Sequence, residues 1–234
     1  MNIAAIPTMP GREPCLEKAV DSLIGQVDLV VVFMNGPMYP VKRKDSVAYL
    51  NGKDFGSARR FEVFDIFEKG FHLTMGTDSS VALCDDDLLY PPDYIKVMKE
   101  ALDTFGGIVT CHGRVLDKGR MPLKSWHKEA FKSVHPCLEA NPENITVDIA
   151  GTGAMMINPF VFSPRMNDFK HPNYDDVEFS ILAHKAKKKM VCIKHAADWI
   201  KYLNPPAEST IWHQTSKQGH RPLLNLVNSY DWGL

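Results

Sequence analysis

Short apolar runs alternate with helical stripes along the first half of the chain. Residues 2–6 read as a buried strand. After a Pro/Gly turn, residues 13–24 have helical spacing, with Leu16, Ala19, Val20 and Leu23 on one face and Pro14 in the first turn. Residues 28–34 (DLVVVFM) form a continuous β-branched run, the pattern of a strand covered on both faces. Residues 47–50 read as a short strand, 57–67 as a helix ended near Gly70, and 79–84 (SSVALC) as another apolar strand. A helix follows over 91–105 with Tyr94, Ile95, Met98, Ala101 and Leu102 as its inner stripe, and 107–111 returns as a strand. This β-α-β-α-β order predicts an α/β fold with a mostly parallel, Rossmann-like sheet and helices on both faces.

The second half is less regular. Strands are predicted over 145–150, 154–157 and 190–194, and a helix over 176–187. Residues 204–222, rich in Pro, Ser, Thr, Gln and His, read as a loop or lid. No linker separates two units, so a single domain over 1–234 is expected.

Composition narrows the classes. Lys plus Arg (27) nearly balance Asp plus Glu (28) among 234 residues, which argues against a broadly cationic, polyanion-coating protein. The first residues lack a basic stretch, and Pro7 and Pro10 interrupt any apolar core, so no secretory signal is expected there. The longest uncharged run, between Asp148 and Arg165, is too short and too rich in Gly and Pro to span a bilayer. The five cysteines are scattered without a Cys-x-x-Cys pair, as in a cytoplasmic protein with reduced thiols.

Two acidic clusters carry the candidate chemistry. Asp85-Asp86-Asp87 stand at the carboxyl end of an apolar strand, where open α/β sheets bind ligands. Carboxylates so close repel one another, and an oxygen-only set suits Mg²⁺ or Mn²⁺. The plainer reading is a solvated acidic turn ahead of the next helix. The second cluster, Asp175-Asp176-Val177-Glu178, opens the helix over 176–187. Asp175 and Glu178 have the spacing of an N-cap and its capping-box partner, which leaves Asp176 as a rigidly held candidate general base. Alone, Asp176 also reads as a charge that merely favours the helix amino end.

Taken in order over roughly residues 3–195, these features resemble the GT-A glycosyltransferases, in particular family 2-like enzymes. The stretch Ala4-Ala5-Ile6-Pro7-Thr8-Met9-Pro10-Gly11-Arg12 is similar to the family's first strand and nucleotide loop, and 30–36 (VVVFMNG) to its second strand and base-contacting corner. Gly56-Ser57-Ala58-Arg59 is similar to its Gly…Ala-Arg-Asn segment. Asp85-Asp86-Asp87-Leu88-Leu89-Tyr90-Pro91-Pro92 matches its DXD region, the most specific piece. Gly151-Thr152-Gly153-Ala154-Met155-Met156 and Tyr174-Asp175-Asp176-Val177-Glu178 resemble its acceptor-side strand and base motif. Two departures are Asn35, where the family often has Asp, and Arg60, where it usually has Asn.

The resemblance implies a metal-dependent inverting transfer of a sugar from a nucleotide-sugar, a UDP-sugar first, to an acceptor hydroxyl. It implies a nucleotide-sugar and metal half over 1–111, an acceptor half over 112–203 and a tail or lid over 204–234. Donor contacts fall to Pro7, Thr8, Arg12, Asn35, Arg59, Asp85 and Asp86. Mn²⁺ or Mg²⁺ falls to Asp85 and Asp87, with His213 as a third ligand. Asp176 is the base, and Trp126, His127, Gly153 and Asp175 meet the acceptor. The segment 112–135 holds six Lys or Arg against two carboxylates, which suits an acidic glycan, or the backbone of DNA carrying hydroxymethylated bases with Trp126 stacking, as acceptor; the plainer reading is a solvated basic surface. Two other classes remain. One is a haloacid-dehalogenase-like phosphatase using Asp85 and Asp87, although Leu89 stands where that family wants Thr or Val. The other is a non-catalytic nucleotide-binding module.

Overall fold

The computed structural model describes residues 1–37, 41, 44–66, 76–216 and 219–233. The first half carries β1 (Asn2–Thr8), β2 (Leu29–Asn35), β3 (Val47–Gly52), β4 (Ser80–Cys84), β5 (Leu88–Leu89) and β6 (Ile108–Thr110). The second adds β7 (Gly113–Val115), β8 (Ser133–His135), β9 (Ile145–Thr146), β10 (Ile149–Ala150), β11 (Ala154–Ile157), β12 (Met190–Cys192) and β13 (Lys201–Tyr202). The α-helices are α1 (Glu13–Leu23), α2 (Glu62–Ile66), α3 (Tyr94–Phe105), α4 (Asp175–Lys185), α5 (Ile211–Ser216) and α6 (Arg221–Asn228).

Among the described residues, eight strands form one sheet in the order β3-β2-β1-β4-β11-β6-β12-β9. The first four run parallel, β11 runs antiparallel to both β4 and β6, and β12 runs parallel to β6. The mostly parallel α/β sheet expected from the sequence is therefore present, with one reversed strand, β11, inserted at its middle and another, β9, at its edge.

Side chains alternate across a strand, and the central strands use both faces. Ala4, Ile6, Val30 and Val32 pack under α1 and α3, against Leu16, Val20, Leu23, Tyr94 and Met98. Ile3, Ala5, Val31 and Phe33 pack on the other face against Phe61, Phe64 and Phe179. Phe61 anchors that face, with its ring stacked 4.1 Å from Phe169 and 5.6 Å from Phe179. A third apolar cluster joins the 116–131 segment to α4 and the tail through Leu116, Trp126, Phe131, Val177, Leu224, Val227 and Trp232.

Three expectations change. The strand expected over 145–150 is two strands: β9 edges the large sheet, and β10 pairs with β7 in a small antiparallel sheet. Val147, between them, lies so close over Gly113 that a Cβ there would come within 2.6 Å of it. The helix expected over 57–67 begins as a tight 3₁₀ segment, Gly56–Phe61, before α2, and its expected end near Gly70 lies outside the described residues. The tail expected as a loop or lid carries a 3₁₀ turn at Ala207–Ser209, then α5 and α6. Burial of Leu224 and Val227 in the third cluster gives α6 its reason to be a helix. No helix among the described residues is long and apolar enough to cross a membrane.

Candidate active site at the carboxyl edge of the sheet

The parallel strands β1 and β4 and the start of β11 converge where open α/β sheets place ligands. The segment between β4 and β5 brings Asp85, Asp86 and Asp87 there, and the turn before β11 brings Thr152 and Gly153. Asp85 and Asp176 line one cavity, together with Arg60, Arg114, Thr152 and Gly153.

The acidic triplet divides between two arginines. Asp85 accepts a hydrogen bond from Arg60 Nη2 at 2.6 Å and keeps its side chain 38% exposed. Asp86 is buried, accepting from the Thr8 hydroxyl at 2.7 Å and pairing with Arg12 at 2.8 Å. Asp87 accepts from the same Arg12 nitrogen at 2.6 Å. Arg12 also donates to the backbone carbonyl of Ser209 at 3.3 Å, so it fastens the tail to the acidic tip. Its Nε is buried without a hydrogen-bond partner.

Asp86 thus braces its loop against β1. Burial pushes its carboxyl up to about 7. Burial also raises Asp87, and the neighbouring charge of Asp85 raises it further. Around this edge five carboxylates (Asp85, Asp86, Asp87, Asp175, Asp176) face three guanidiniums (Arg12, Arg60, Arg114), an imbalance that favours a cation.

The base candidate is held by one oxygen. Asp176 Oδ1 accepts from the Thr152 backbone N–H at 2.8 Å and lies 2.8 Å from the Thr152 hydroxyl. No hydrogen bond to Asp176 Oδ2 occurs among the described residues, and the side chain faces the cavity. Burial, then the charge of Asp175, raises its pKa to about 6. The helix dipole, expected to lower it, loses to desolvation.

Asp175 is no capping residue. It begins α4, Tyr174 occupies the N-cap, and no side-chain cap bond forms. Its carboxylate instead accepts from the Ser57 and Thr152 hydroxyls and pairs with Arg60 Nε at 3.3 Å. Glu178, its expected partner, accepts from the backbone N–H groups of Lys170 and His171. With 4% exposure, Asp175 is a buried joint between the 3₁₀ segment and the β11 turn, which leaves the acceptor contact expected of it without an accessible carboxylate.

Other expected contacts are also redirected. Arg59 is buried at 2% exposure and donates to Glu62 through Nε and Nη2 and to the Met34 carbonyl. It is committed beneath β2 and does not reach the acidic tip. Arg60, the apparent departure from the resembled pattern, is the central cation: it donates to the carbonyls of Ser57, Cys84 and Thr152 as well as to Asp85. Asn35 spends its amide locally, accepting from Phe55 N–H and donating to the Gly56 carbonyl, both at 3.0 Å. That use competes with the base reading expected of it. Pro7 is buried within β1. Trp126 is 6% exposed and packs edge-on to Phe131, so it is a core residue with one side on the cavity and no open stacking platform. His127 is exposed and does not line the cavity. Gly153 touches Asp85 closely: a Cβ there would lie 1.8 Å from Oδ2.

For a divalent ion, the carboxylates of Asp85 and Asp87 offer hard oxygen donors at a site short of positive charge. That set fits Mg²⁺ or Mn²⁺ with most of the shell supplied by water and phosphate. No cluster of three or more His, Cys, Asp or Glu side chains suited to a metal occurs among the described residues. His213, in α5, is therefore not brought together with Asp85 and Asp87.

Residues that motif reasoning passed over are Ser57, Thr152 and His220, all lining the cavity. Ser57 and Thr152 lie inside the family-like segments 56–59 and 151–156 without an expected role, whereas His220 carried no local signal.

No protein-family model and no curated protein sequence matches the chain. Among solved structures it is similar to glucosyl-3-phosphoglycerate synthase from Mycobacterium tuberculosis in complex with Mn²⁺, uridine diphosphate and glucosyl-3-phosphoglycerate. The identity is 13%, covering 99% of this chain and 81% of that one, with a TM-score of 0.52. The same synthase in complex with phosphoglyceric acid matches at 14% identity with equal coverage and a TM-score of 0.52. A mycobacterial protein matches at 12% identity, covering 96% of this chain and 75% of that one, with a TM-score of 0.51. At such identities the likeness reports architecture alone, and with the sheet order described above it shows that the chain has a GT-A-like fold.

Proposed function

We propose that the chain is a metal-dependent, inverting glycosyltransferase that moves a sugar from a nucleotide-sugar to an acceptor hydroxyl. The observation that carries this reading is the shared cavity of Asp85 and Asp176, at the carboxyl edge of the sheet. A carboxylate with one oxygen anchored and the other open to the cavity suits a general base.

Asp176 Oδ2 takes the proton of the acceptor hydroxyl. The freed oxygen attacks the anomeric carbon as the bond to the diphosphate breaks, and configuration inverts. Thr152 keeps the base in place, and Arg60 keeps Asp85 aimed. Asp85 and Asp87 are the residues that would hold a divalent ion, whose positive charge would stabilise the departing diphosphate. A UDP-sugar is the first donor to test, because a protein of similar fold has been seen with Mn²⁺ and uridine diphosphate.

The test is a thermal-shift panel of UDP-, GDP-, CMP- and dTDP-sugars, with and without Mn²⁺, followed by transfer assays on glycans and on duplex DNA with hydroxymethylated bases. Stabilisation by one nucleotide-sugar only when Mn²⁺ is present is the expected result. Stabilisation by none, or phosphatase activity without a sugar donor, defeats the reading.

A further inference from the structure

Among the described residues lining the cavity, Arg114 is a cation that the reaction above does not use. Arg114 projects from β7 into the space it shares with Asp176. Its guanidinium lies 4.9 Å from the centre of the Trp126 ring and 5.7 Å from that of Phe131. Two aromatic rings hold the plane, yet neither accepts a strong hydrogen bond.

None of its five N–H donors meets a hydrogen-bond acceptor or an ion-pair partner among the described residues. The other two arginines described at this edge are spent, Arg12 on Asp86 and Asp87 and Arg60 on Asp85 and Asp175. Leaving a partly buried cation unpaired is costly, and natural sites offset that cost with an anion.

We infer that Arg114 seats a compact oxyanion, a phosphate or carboxylate, carried by a small acceptor whose hydroxyl is thereby delivered to Asp176. This rests on the transfer reaction proposed above and names its acceptor class. A planar guanidinium binds such an oxyanion through two parallel hydrogen bonds, which fixes orientation as well as position.

The surroundings suit a terminal group better than a polymer backbone. Ile211 and Leu223 of the tail wall the cavity, and Trp126 is too buried to stack an incoming base. The lysines of the same segment, Lys124, Lys128 and Lys132, are exposed on the surface, and Lys128 is paired with Glu139. His112, beside Arg114, is held down to about 3 by burial and by that same cation, so it is a neutral wall and the anion's charge falls to Arg114.

The probe is inorganic phosphate, titrated calorimetrically into the full-length protein, with a short DNA duplex and UDP plus Mn²⁺ titrated separately. Phosphate is expected to bind without Mn²⁺ or nucleotide. Arg114→Met should weaken it at least about tenfold, the size of a lost charge-assisted bidentate contact. Arg114→Lys should weaken it less, and Lys124→Ala should leave it unchanged. Asp176→Asn should tighten it severalfold, since Asp176 is the negative charge that acts on Arg114. UDP with Mn²⁺ should bind Arg114→Met as it binds the wild type. Thermal melting of each variant confirms that it is folded. Phosphate binding that is absent from the wild type, or equal in Arg114→Met, overturns the inference, as does Arg114-dependent binding of the duplex without binding of phosphate. Arg114-dependent phosphate binding by a protein that ignores UDP and Mn²⁺ would retain the oxyanion seat and sink the transfer reaction instead.

Discussion

Asp176 pays for its position in desolvation, and that makes its chemistry depend on pH. Its folded value of about 6 lies above the ordinary 3.8. As a base it must be ionised, so turnover should rise with pH through about 6. The stability sign is opposite. A raised carboxyl binds its proton more tightly when folded, so its contribution is full below 3.8 and lost as pH rises through about 6. Asp176→Asn keeps an oxygen for the Thr152 N–H. It should therefore lower turnover by about 10²–10⁴-fold while melting above the wild type at pH 7.5, with the difference closing below pH 4. A variant that melts lower at pH 7.5 would show that the carboxylate is not strained there. Gly153 makes a second residue-scale case. Gly153→Ala puts a methyl group into Asp85, so metal-dependent donor binding should weaken by about 10–100-fold, the usual cost of displacing a ligand's support. Unchanged binding by calorimetry would mean that Asp85 has room to move.

At the scale of elements, the Gly56–Phe61 segment decides whether the site assembles. One side of it buries Phe61 against Phe169 and Phe179, and the other aims Arg60 at Asp85 and Asp175. Phe61→Ala should cost about 3–5 kcal/mol of unfolding free energy, as large-to-small changes of buried aromatics do. Arg60→Met leaves Asp175 buried and unpaired and should cost on the order of 3 kcal/mol. Urea denaturation measures both, and a loss under 1 kcal/mol for either would contradict the packing described. The sequence announced a helix in this region because Ala58, Phe61, Val63 and Phe64 fall at near-helical spacing. It could not announce the tighter opening turn, which follows from Asn173: its Oδ1 accepts from Ser57 N–H and lies where a Cβ at Gly56 would clash. The strands β1, β2 and β4 were legible because each carries an unbroken apolar run between polar ends, as a strand covered on both faces does. The 145–150 run was misread as one strand because the break at Val147 depends on contact with Gly113, thirty-odd residues away in sequence.

For the molecule as a whole, the tail is a structural partner of the acceptor side. Leu224, Val227 and Trp232 complete the cluster around Trp126 and Val177, while Arg12 holds the Ser209 carbonyl. Val227→Asp places a charge in that cluster. Hydrogen exchange should then accelerate first in α6 and residues 116–131, before β1 and β4 respond; uniform acceleration would deny the tail a separate unit of stability. The near-neutral net charge also resolves at this scale, into an acidic edge around Asp85–Asp87 and exposed lysines on the outer face of residues 124–132. By itself the sequence determined the α/β class, the parallel half of the sheet and the two acidic clusters, because apolar periodicity and adjacent carboxylates are local properties. Tertiary structure decided that Arg60 and not Arg59 meets the acidic tip, that Asn35 and Asp175 are spent internally, and that the Arg114 side chain meets aromatic rings and no carboxylate among the described residues. Those outcomes depend on which donors and acceptors burial brings within about 3 Å of each other, a distance set by chain segments far apart in sequence.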